Sequence, residues 1–146
     1  MTLLTVKIGP RSFAATLESE RAPRTSAAFL ARLPFVGQLV QARWSGEAGW
    51  IPLADYDLGV PYENATSHPG PGQVLWHPPG VSEAELLVPY GGTCFSSRVG
   101  QLAGNHFMTI HDEHGSLAEV GRRLLAEGAQ HISFELTVSS EAAPPE

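Results

Sequence analysis

The segment from Tyr90 to Phe107, YGGTCFSSRVGQLAGNHF, combines the chain's single cysteine with two serines and a histidine. A cysteine nucleophile requires a thiol whose pKa is lowered by its surroundings, and a base within hydrogen-bond reach. Cys94 and His106 would provide the thiol and the base if the chain turned back between them. No Asp or Glu lies between them to orient the imidazole, and the serines form no Gly-x-Ser-x-Gly motif. We therefore interpret Cys94 as a packing residue and the segment as the wall of a pocket.

The histidines are the next candidates for chemistry, as metal ligands. His106, His111 and His114 are the closest group, with Asp112 and Glu113 between them. On one strand, His106 and His111 would point to opposite faces, because successive side chains alternate. Neither a His-Glu-x-x-His pattern nor a glycine motif of a phosphate-binding loop occurs. The sequence therefore predicts no metal and no cofactor.

Composition and charge exclude several classes of function. The chain has 146 residues and a net charge of -6, and its nine lysines and arginines form no tract. Nucleic acid is therefore not an expected partner. No stretch approaches the ~20 apolar residues of a membrane span, and the first residues lack the basic part of a signal peptide. We expect a cytoplasmic protein with one domain at residues 1–138 and a flexible tail at 139–146.

Alternating apolar and polar residues predict a series of half-buried strands. The predicted strands cover residues 3–8, 12–17, 36–44, 49–53, 73–77, 84–90, 106–110 and 132–138. In the third of them, Val36, Val40, Ala42 and Trp44 are the expected inward set, which places Arg43 outside. Pro89 predicts that its strand is an edge strand or carries a bulge, because proline lacks the amide proton.

Two segments have the apolar spacing of helices. ERAPRTSAAFLARLP places Pro23 in a first turn and ends at Pro34. In GSLAEVGRRLLAEG, Ser116 and Glu119 predict a capping box and Gly128 a C-terminal cap. The expected buried stripe of this second helix consists of Leu117, Val120, Leu124 and Leu125.

Many antiparallel strands and two short helices favour an all-β protein, a β-barrel capped by helices. ERAPRTSAAFLARL resembles the first helix of cyclophilins. RWSGEAGW, ENATSHPGPGQVLWHPPG, LLVPYGG and LAGNHFMTI resemble a bacterial family of small cyclophilin-like proteins without an assigned function. The resemblance covers roughly residues 2–138, and it implies an eight-stranded antiparallel barrel with two capping helices but no established reaction.

The same resemblance implies a cleft on the outer surface of the barrel, with an arginine on the strand after the first helix. Arg43 stands at that place in chain order, and a guanidinium is suited to a carboxylate or a carbonyl. A solvated surface arginine, or an arginine paired with Glu47, is the alternative. The Phe-x-x-Gln-Gly-Gly run of cyclophilins is absent, and WSGEAGWIPL stands there instead.

Aromatic and polar residues gather in the regions that carry the resemblance, a combination typical of ligand pockets. The candidate ligand-binding residues are Arg43, Trp44, Glu47, Trp50, Glu63, Asn64, Tyr90, Phe95, Asn105, His106 and Phe107. Taken singly, each aromatic residue fits a barrel core better than a pocket, and Glu63 and Asn64 fit a turn, but the set as a whole favours a cleft. We predict binding, with turnover left open, of a small carboxylate- or amide-containing molecule or a short peptide. Peptidyl-prolyl isomerisation and a structural role, including a homo-oligomer, are the alternatives.

Overall fold

The structure, a computed structural model, describes residues 2–137, and within this range the chain forms eleven strands and two helices. The strands are β1 (Leu3–Ile8), β2 (Arg11–Leu17), β3 (Phe35–Gln41), β4 (Gly46–Pro52), β5 (Ala65–Thr66), β6 (Gln73–His77), β7 (Glu85–Thr93), β8 (Ser96–Ser97), β9 (Gly100–Gln101), β10 (Gly104–His111) and β11 (Gln130–Leu136). The helices are α1 (Pro23–Leu30) and α2 (Ser116–Glu127). The tail expected at residues 139–146 lies outside the described residues.

Eight strands close into an antiparallel barrel, which confirms the predicted fold class. Their order is β2-β1-β11-β3-β4-β7-β6-β10, and β10 pairs back with β2. The closing register aligns Met108 with Leu17. The short β5 pairs with the start of β10, and β8 and β9 form a separate hairpin. The two helices pack against the barrel, and Phe29 of α1 lies edge-on to Phe107 and Phe134 of the core.

Strand β3 corrects the predicted alternation. Leu39 is fully buried, whereas Val36 is 62% exposed and Trp44 lies beyond the end of the strand. Both alternating sets of residues in this segment contain apolar side chains, so the sequence pattern allows either set to face inward. A shift of one residue exchanges the two faces of a strand. Gly49 on β4 decides the phase, because the Leu39 side chain occupies the space where a Cβ at this position would lie.

The start of α2 corrects the predicted capping box. Ser116 is the first helical residue, and the cap position is taken by Gly115 with φ of 68°. The Asp112 carboxylate accepts hydrogen bonds from the amides of Ser116 (2.7 Å) and Leu117 (3.0 Å). Asp112 therefore satisfies the free amides of the first turn that the sequence assigned to Ser116.

The remainder of α2 follows the prediction with one exception. Leu117, Val120 and Leu124 are buried, and Gly128 forms the C-cap with φ of 93°. Leu125, expected in the buried stripe, is exposed. The fourth buried residue of α2 is Gly121, which lies against the Tyr90 ring, and not Leu125.

Pro89 lies at a bulge and not on an edge strand. β7 is an interior strand between β4 and β6, and Pro89 is the register partner of Ala48. The pairing of β4 with β7 shifts between Gly46 and Ala48, next to the proline. Neither helix of residues 2–137 is long and apolar enough to cross a membrane.

Candidate functional site

A groove of about 870 Å³ lies on the outer face of the barrel beside β4. Its lining comes from residues 42–45, 54–55, 79–83 and 96–99, together with Trp50 and Glu85. These segments are the turn between β3 and β4, the loop after β4, the loop between β6 and β7, and the β8–β9 hairpin. The groove is thus built by connections on a rigid sheet, where binding residues are commonly found.

An apolar layer outside the barrel lies next to the groove. Ala48, Leu75 and Leu87, the outward-facing side chains of β4, β6 and β7, form a second buried cluster with Phe95 and Leu102, against which Ala42 and Trp50 pack. Strands β6 and β7 are therefore apolar on both faces, as in VLW and LLV. The glycine-rich segment covers this outer face, because it contributes Phe95 and Leu102.

Two serines join the β3–β4 turn to the glycine-rich segment. The Ser45 hydroxyl donates to the carbonyl of Ser96 (3.1 Å) and accepts from the Ser96 amide (3.0 Å). The Cys94 amide donates to the Ser45 carbonyl (3.0 Å). These bonds hold Arg43 and Trp44 beside the β8–β9 hairpin.

Cys94 and His106 do not form a nucleophile–base pair. Cys94 is half-buried, and its Sγ lies 4.0 Å from Gln101 Oε1. His106 Nε2 lies 2.9 Å from the Thr109 hydroxyl and 3.8 Å from Glu18 Oε2. Burial lowers the pKa of His106, an effect that the Glu18 carboxylate partly offsets. The imidazole is therefore engaged on β10 with residues other than the thiol.

Three of the predicted candidates line the groove, namely Arg43, Trp44 and Trp50. Arg43 is exposed and forms no salt bridge with any residue of 2–137. Glu47, the alternative partner, instead accepts a hydrogen bond from the amide of Gly92 (2.8 Å). Phe95 is fully buried in the apolar layer against which Trp50 packs.

Glu63 and Asn105 connect α1 with β10. Glu63 Oε2 accepts from the amide (2.6 Å) and the hydroxyl (2.8 Å) of Thr25, in the first turn of α1. Asn105 Nδ2 donates to the Thr25 hydroxyl (3.0 Å), and its Oδ1 accepts from the Glu63 amide (3.1 Å). A carboxylate at a helix N-terminus is stabilising, so these contacts give both residues a structural role away from the groove.

The remaining candidates also have partners within the fold. Asn64 Nδ2 donates to the His106 carbonyl (2.8 Å), and Phe107 is fully buried in the barrel core. The Tyr90 hydroxyl donates to Gln41 Oε1 (2.7 Å), and the Tyr90 ring lies against Gly121 of α2. The structure does not bring these side chains to the groove lining.

Sequence reasoning missed Glu85 and His77. Glu85 lines the groove with only 6% of its surface exposed, and its carboxyl accepts no hydrogen bond from any described residue. Burial and the Glu83 carboxylate raise the pKa of Glu85 to about 8. The signal in the sequence was the alternation of the strand. Glu85 lies two residues before the outward-facing Leu87 and therefore shares its face of β7.

His77 is the register partner of Glu85 on β6. The predicted strand 73–77 ends at His77, which is 3% exposed, and its Nδ1 has no hydrogen-bond partner within residues 2–137. Its ring lies edge-on to Phe95 at 5.7 Å. Burial lowers the pKa of His77, and the backbone of Glu83 and Pro78 offsets this in part. Among the described residues, no group of three His, Cys, Asp or Glu side chains is arranged to hold a metal ion.

Comparison with known proteins gives a family and a fold. A family model described as "Protein of unknown function (DUF3830)" matches residues 4–136. No curated protein matches the chain. Cyclophilin-like character and a bacterial origin are not among these findings and stay predictions.

Two solved structures have a similar fold. The structure of McbB in complex with tryptophan has a TM-score of 0.64 at 18% identity, over 90% of this chain and 44% of McbB. The solution structure of the hypothetical protein AF2241 from Archaeoglobus fulgidus has a TM-score of 0.55 at 20% identity, over 93% of this chain and 95% of AF2241. The chain thus spans less than half the length of McbB, and both likenesses show the fold alone.

Proposed function

The chain belongs to the DUF3830 family of proteins of unknown function, and we propose that it binds a small carboxylate- or amide-containing molecule in the groove beside β4. The observation that carries the proposal is Arg43, which lines this groove without a salt bridge among residues 2–137; the indoles of Trp44 and Trp50 belong to the same lining. Arg43 is the anchor of the ligand.

The chemistry of the lining supports this assignment. A guanidinium presents a planar fork of donors that matches two oxygens of a carboxylate, or a carbonyl oxygen. Trp44 is 54% exposed, so its indole is accessible to a ligand in the groove. The two tryptophans supply apolar contact area, and Arg43 supplies orientation.

The similarity to McbB is a further support. McbB is described in complex with tryptophan, a small molecule with a carboxylate. Less than half of McbB corresponds to this chain, so the similarity supports small-molecule binding as a class and not the identity of the ligand.

Peptidyl-prolyl isomerisation is the second candidate. The groove lies on the outer face of the barrel next to Arg43, which is where the resemblance to cyclophilins implies a cleft. A proline-peptide isomerisation assay on the wild type and on Arg43→Ala tests this candidate. Acceleration that depends on Arg43 would favour it over simple binding.

The test of the proposed function is a thermal-shift screen of small carboxylates and amides, followed by affinity measurements on three variants. Arg43→Ala should weaken binding about ten- to a hundred-fold, since a charge-assisted hydrogen bond is worth about 1.5–3 kcal/mol. Arg43→Lys keeps the charge without the fork and should also weaken binding. Arg122→Ala, an exposed arginine on α2, is the matched control and should leave affinity unchanged. Equal affinity of the wild type and Arg43→Ala would contradict the proposal.

A further inference from the structure

The charged side chains of the groove are not paired with each other. Those that line it are Arg43, Asp55, Glu83, Glu85 and Arg98. None of them forms a salt bridge with a residue in the part of the chain that the structure describes. Both signs of charge are therefore available to a ligand.

The two arginines lie at one end of the groove. Arg43 belongs to the turn that starts after β3, where the Ala42 amide donates to the Ala48 carbonyl (2.9 Å) at the beginning of β4. Arg98 belongs to the β8–β9 turn, which the Ser45–Ser96 hydrogen bonds attach to the same place. This end of the groove is cationic.

The three acids lie at the other end. Glu85 is the register partner of Pro52, the last residue of β4. The Ala84 amide donates to the Ala54 carbonyl (2.8 Å), which joins the segment containing Glu83 and Glu85 to the segment containing Asp55. The lining contains no lysine, and its two arginines belong to the β3–β4 and β8–β9 turns that the Ser45–Ser96 hydrogen bonds join.

Glu85 is the group at this end that lacks a partner most clearly. It is buried, it faces the groove, and none of the hydrogen bonds within residues 2–137 involves its carboxyl group. The groups around it are the neutral His77 on β6 and the acidic Glu83 and Asp55 of the neighbouring loops. Burying an ionisable group without a partner is unfavourable, so such groups are concentrated at functional sites. A cation that enters the groove would supply the missing partner.

We propose, on the basis of the groove-binding function above, that the ligand is an elongated zwitterion. Its carboxylate binds Arg43 and Arg98, and its ammonium group binds Glu85 with Asp55 and Glu83 nearby. From Ala48 to Pro52 the strand rises about 13 Å at ~3.3 Å per residue. A single α-amino acid carries both charges on one carbon and cannot reach both ends. An extended peptide of about four residues with free termini spans this distance, and its middle lies over Trp50.

Binding of a zwitterion should change the protonation of Glu85, whereas binding of a neutral ligand should not. Glu85 is mostly protonated at neutral pH, because burial and Glu83 raise its pKa to about 8. An ammonium group beside it favours the carboxylate, so binding moves the proton from Glu85 to the solvent. The Glu85 O–H bond breaks, and the buffer takes up the proton.

The first test compares three equimolar pools of tetrapeptides in equilibrium dialysis with detection by mass spectrometry. One pool has free termini, one is N-acetylated and one is C-amidated. The free pool should be retained at least ten-fold better than either blocked pool, and Arg98→Ala should reduce the discrimination against C-amides, because only Arg43 then remains to bind the carboxylate. Equal retention of the free pool and a blocked pool, or no retention of any pool, would overturn the zwitterion proposal.

The second test is calorimetry of the best-retained free peptide at pH 6.5 in phosphate and in bis-Tris, which differ in ionisation enthalpy. The wild type should release close to one proton per peptide, and Glu85→Gln should release none. The same release from both proteins would contradict the role of Glu85. If both tests fail while a carboxylate or amide still binds in an Arg43-dependent manner, the zwitterion is wrong and the proposed function stands. If no ligand shows Arg43 dependence, both are wrong.

Discussion

His77 on β6 and Glu85 on β7 are register partners, so two buried titratable side chains stand side by side on the outer face of the barrel. Burial acts on them in opposite directions, because it raises the pKa of the acid and lowers the pKa of the base. Both groups are therefore neutral near pH 7. A neutral pair can be buried beside Phe95 at far lower cost than two separate charges.

The raised pKa of Glu85 predicts that stability decreases as the pH rises. Between its ordinary value of 4.5 and about 8 the folded state retains a proton that the unfolded state has lost. By linkage, the folded protein loses stability through this window and has lost all of the contribution above it. Glu85→Gln removes the titration, so the variant should be more stable than the wild type by about 2–4 kcal/mol at pH 9 and similar at pH 4.5.

Urea denaturation at pH 4.5, 7 and 9 measures this effect. Glu83→Gln is the control, because Glu83 is an exposed carboxylate in the loop just before β7 and its replacement should change the pH dependence of stability far less. Parallel pH profiles of the wild type and Glu85→Gln would show that Glu85 ionises in the folded protein at its ordinary pKa.

Much of the fold could be predicted because its signals are local. The hairpin of β1 and β2, strand β6 and the body of α2 each follow from the alternation or the 3.6-residue period of their own residues. β3 was predicted in the right part of the chain, but its predicted end at Trp44 lies beyond the observed end at Gln41, and its phase was wrong. Its phase depends on Gly49, which provides space for Leu39 from a neighbouring strand, and no pattern within β3 contains this information.

The site could be predicted only in part, for the same reason. Arg43, Trp44 and Trp50 were found because they lie close together in the sequence. Glu85 and His77 become a buried pair only when β6 pairs with β7 and the glycine-rich segment covers them with Phe95. Asn105 and Glu63 looked like ligand-binding residues because buried polar networks and binding sites use the same residue types.

The cap of α2 gives a prediction that separates Asp112 from Ser116. Asp112→Ala should lower the free energy of unfolding by about 1 kcal/mol, because two amides of the first turn lose their acceptor. Ser116→Ala is the matched control and should have a much smaller effect, since its side chain caps nothing. Chemical denaturation of both variants measures the difference. An equal loss in the free energy of unfolding would show that Ser116 caps the helix as the sequence predicted.

The Thr25–Glu63–Asn105 network predicts a change in stability without a change in binding. Asn105→Ala leaves Thr25, Glu63 and the Pro61 carbonyl without a shared partner, so it should lower the free energy of unfolding by about 1–3 kcal/mol. Glu63→Gln keeps the shape but weakens the bonds to Thr25, and its effect should be smaller. Ligand affinity of the folded variants should equal that of the wild type. Weakened binding at unchanged stability would contradict this prediction and show that Glu63 and Asn105 belong to the binding site.

Gly121 in α2 and Tyr90 in β7 give the last prediction. Alanine in a helix is ordinarily favoured over glycine by about 1 kcal/mol. At Gly121, however, an added Cβ would collide with the Tyr90 ring, which the hydrogen bond from its hydroxyl to Gln41 (2.7 Å) holds in place. Overpacking of this kind costs about 1–3 kcal/mol, so Gly121→Ala should lower the free energy of unfolding despite the better helix propensity.

A double-mutant cycle with Tyr90→Leu tests the cause of that loss. The smaller side chain makes room for the Cβ, so Gly121→Ala should cost less in the Tyr90→Leu background, by about 1 kcal/mol or more. The free energies of unfolding of the four proteins give the coupling between the two positions directly. Additive effects would mean that α2 moves away from β7 as a whole, because only a local collision between Gly121 and Tyr90 can be relieved by shortening one side chain.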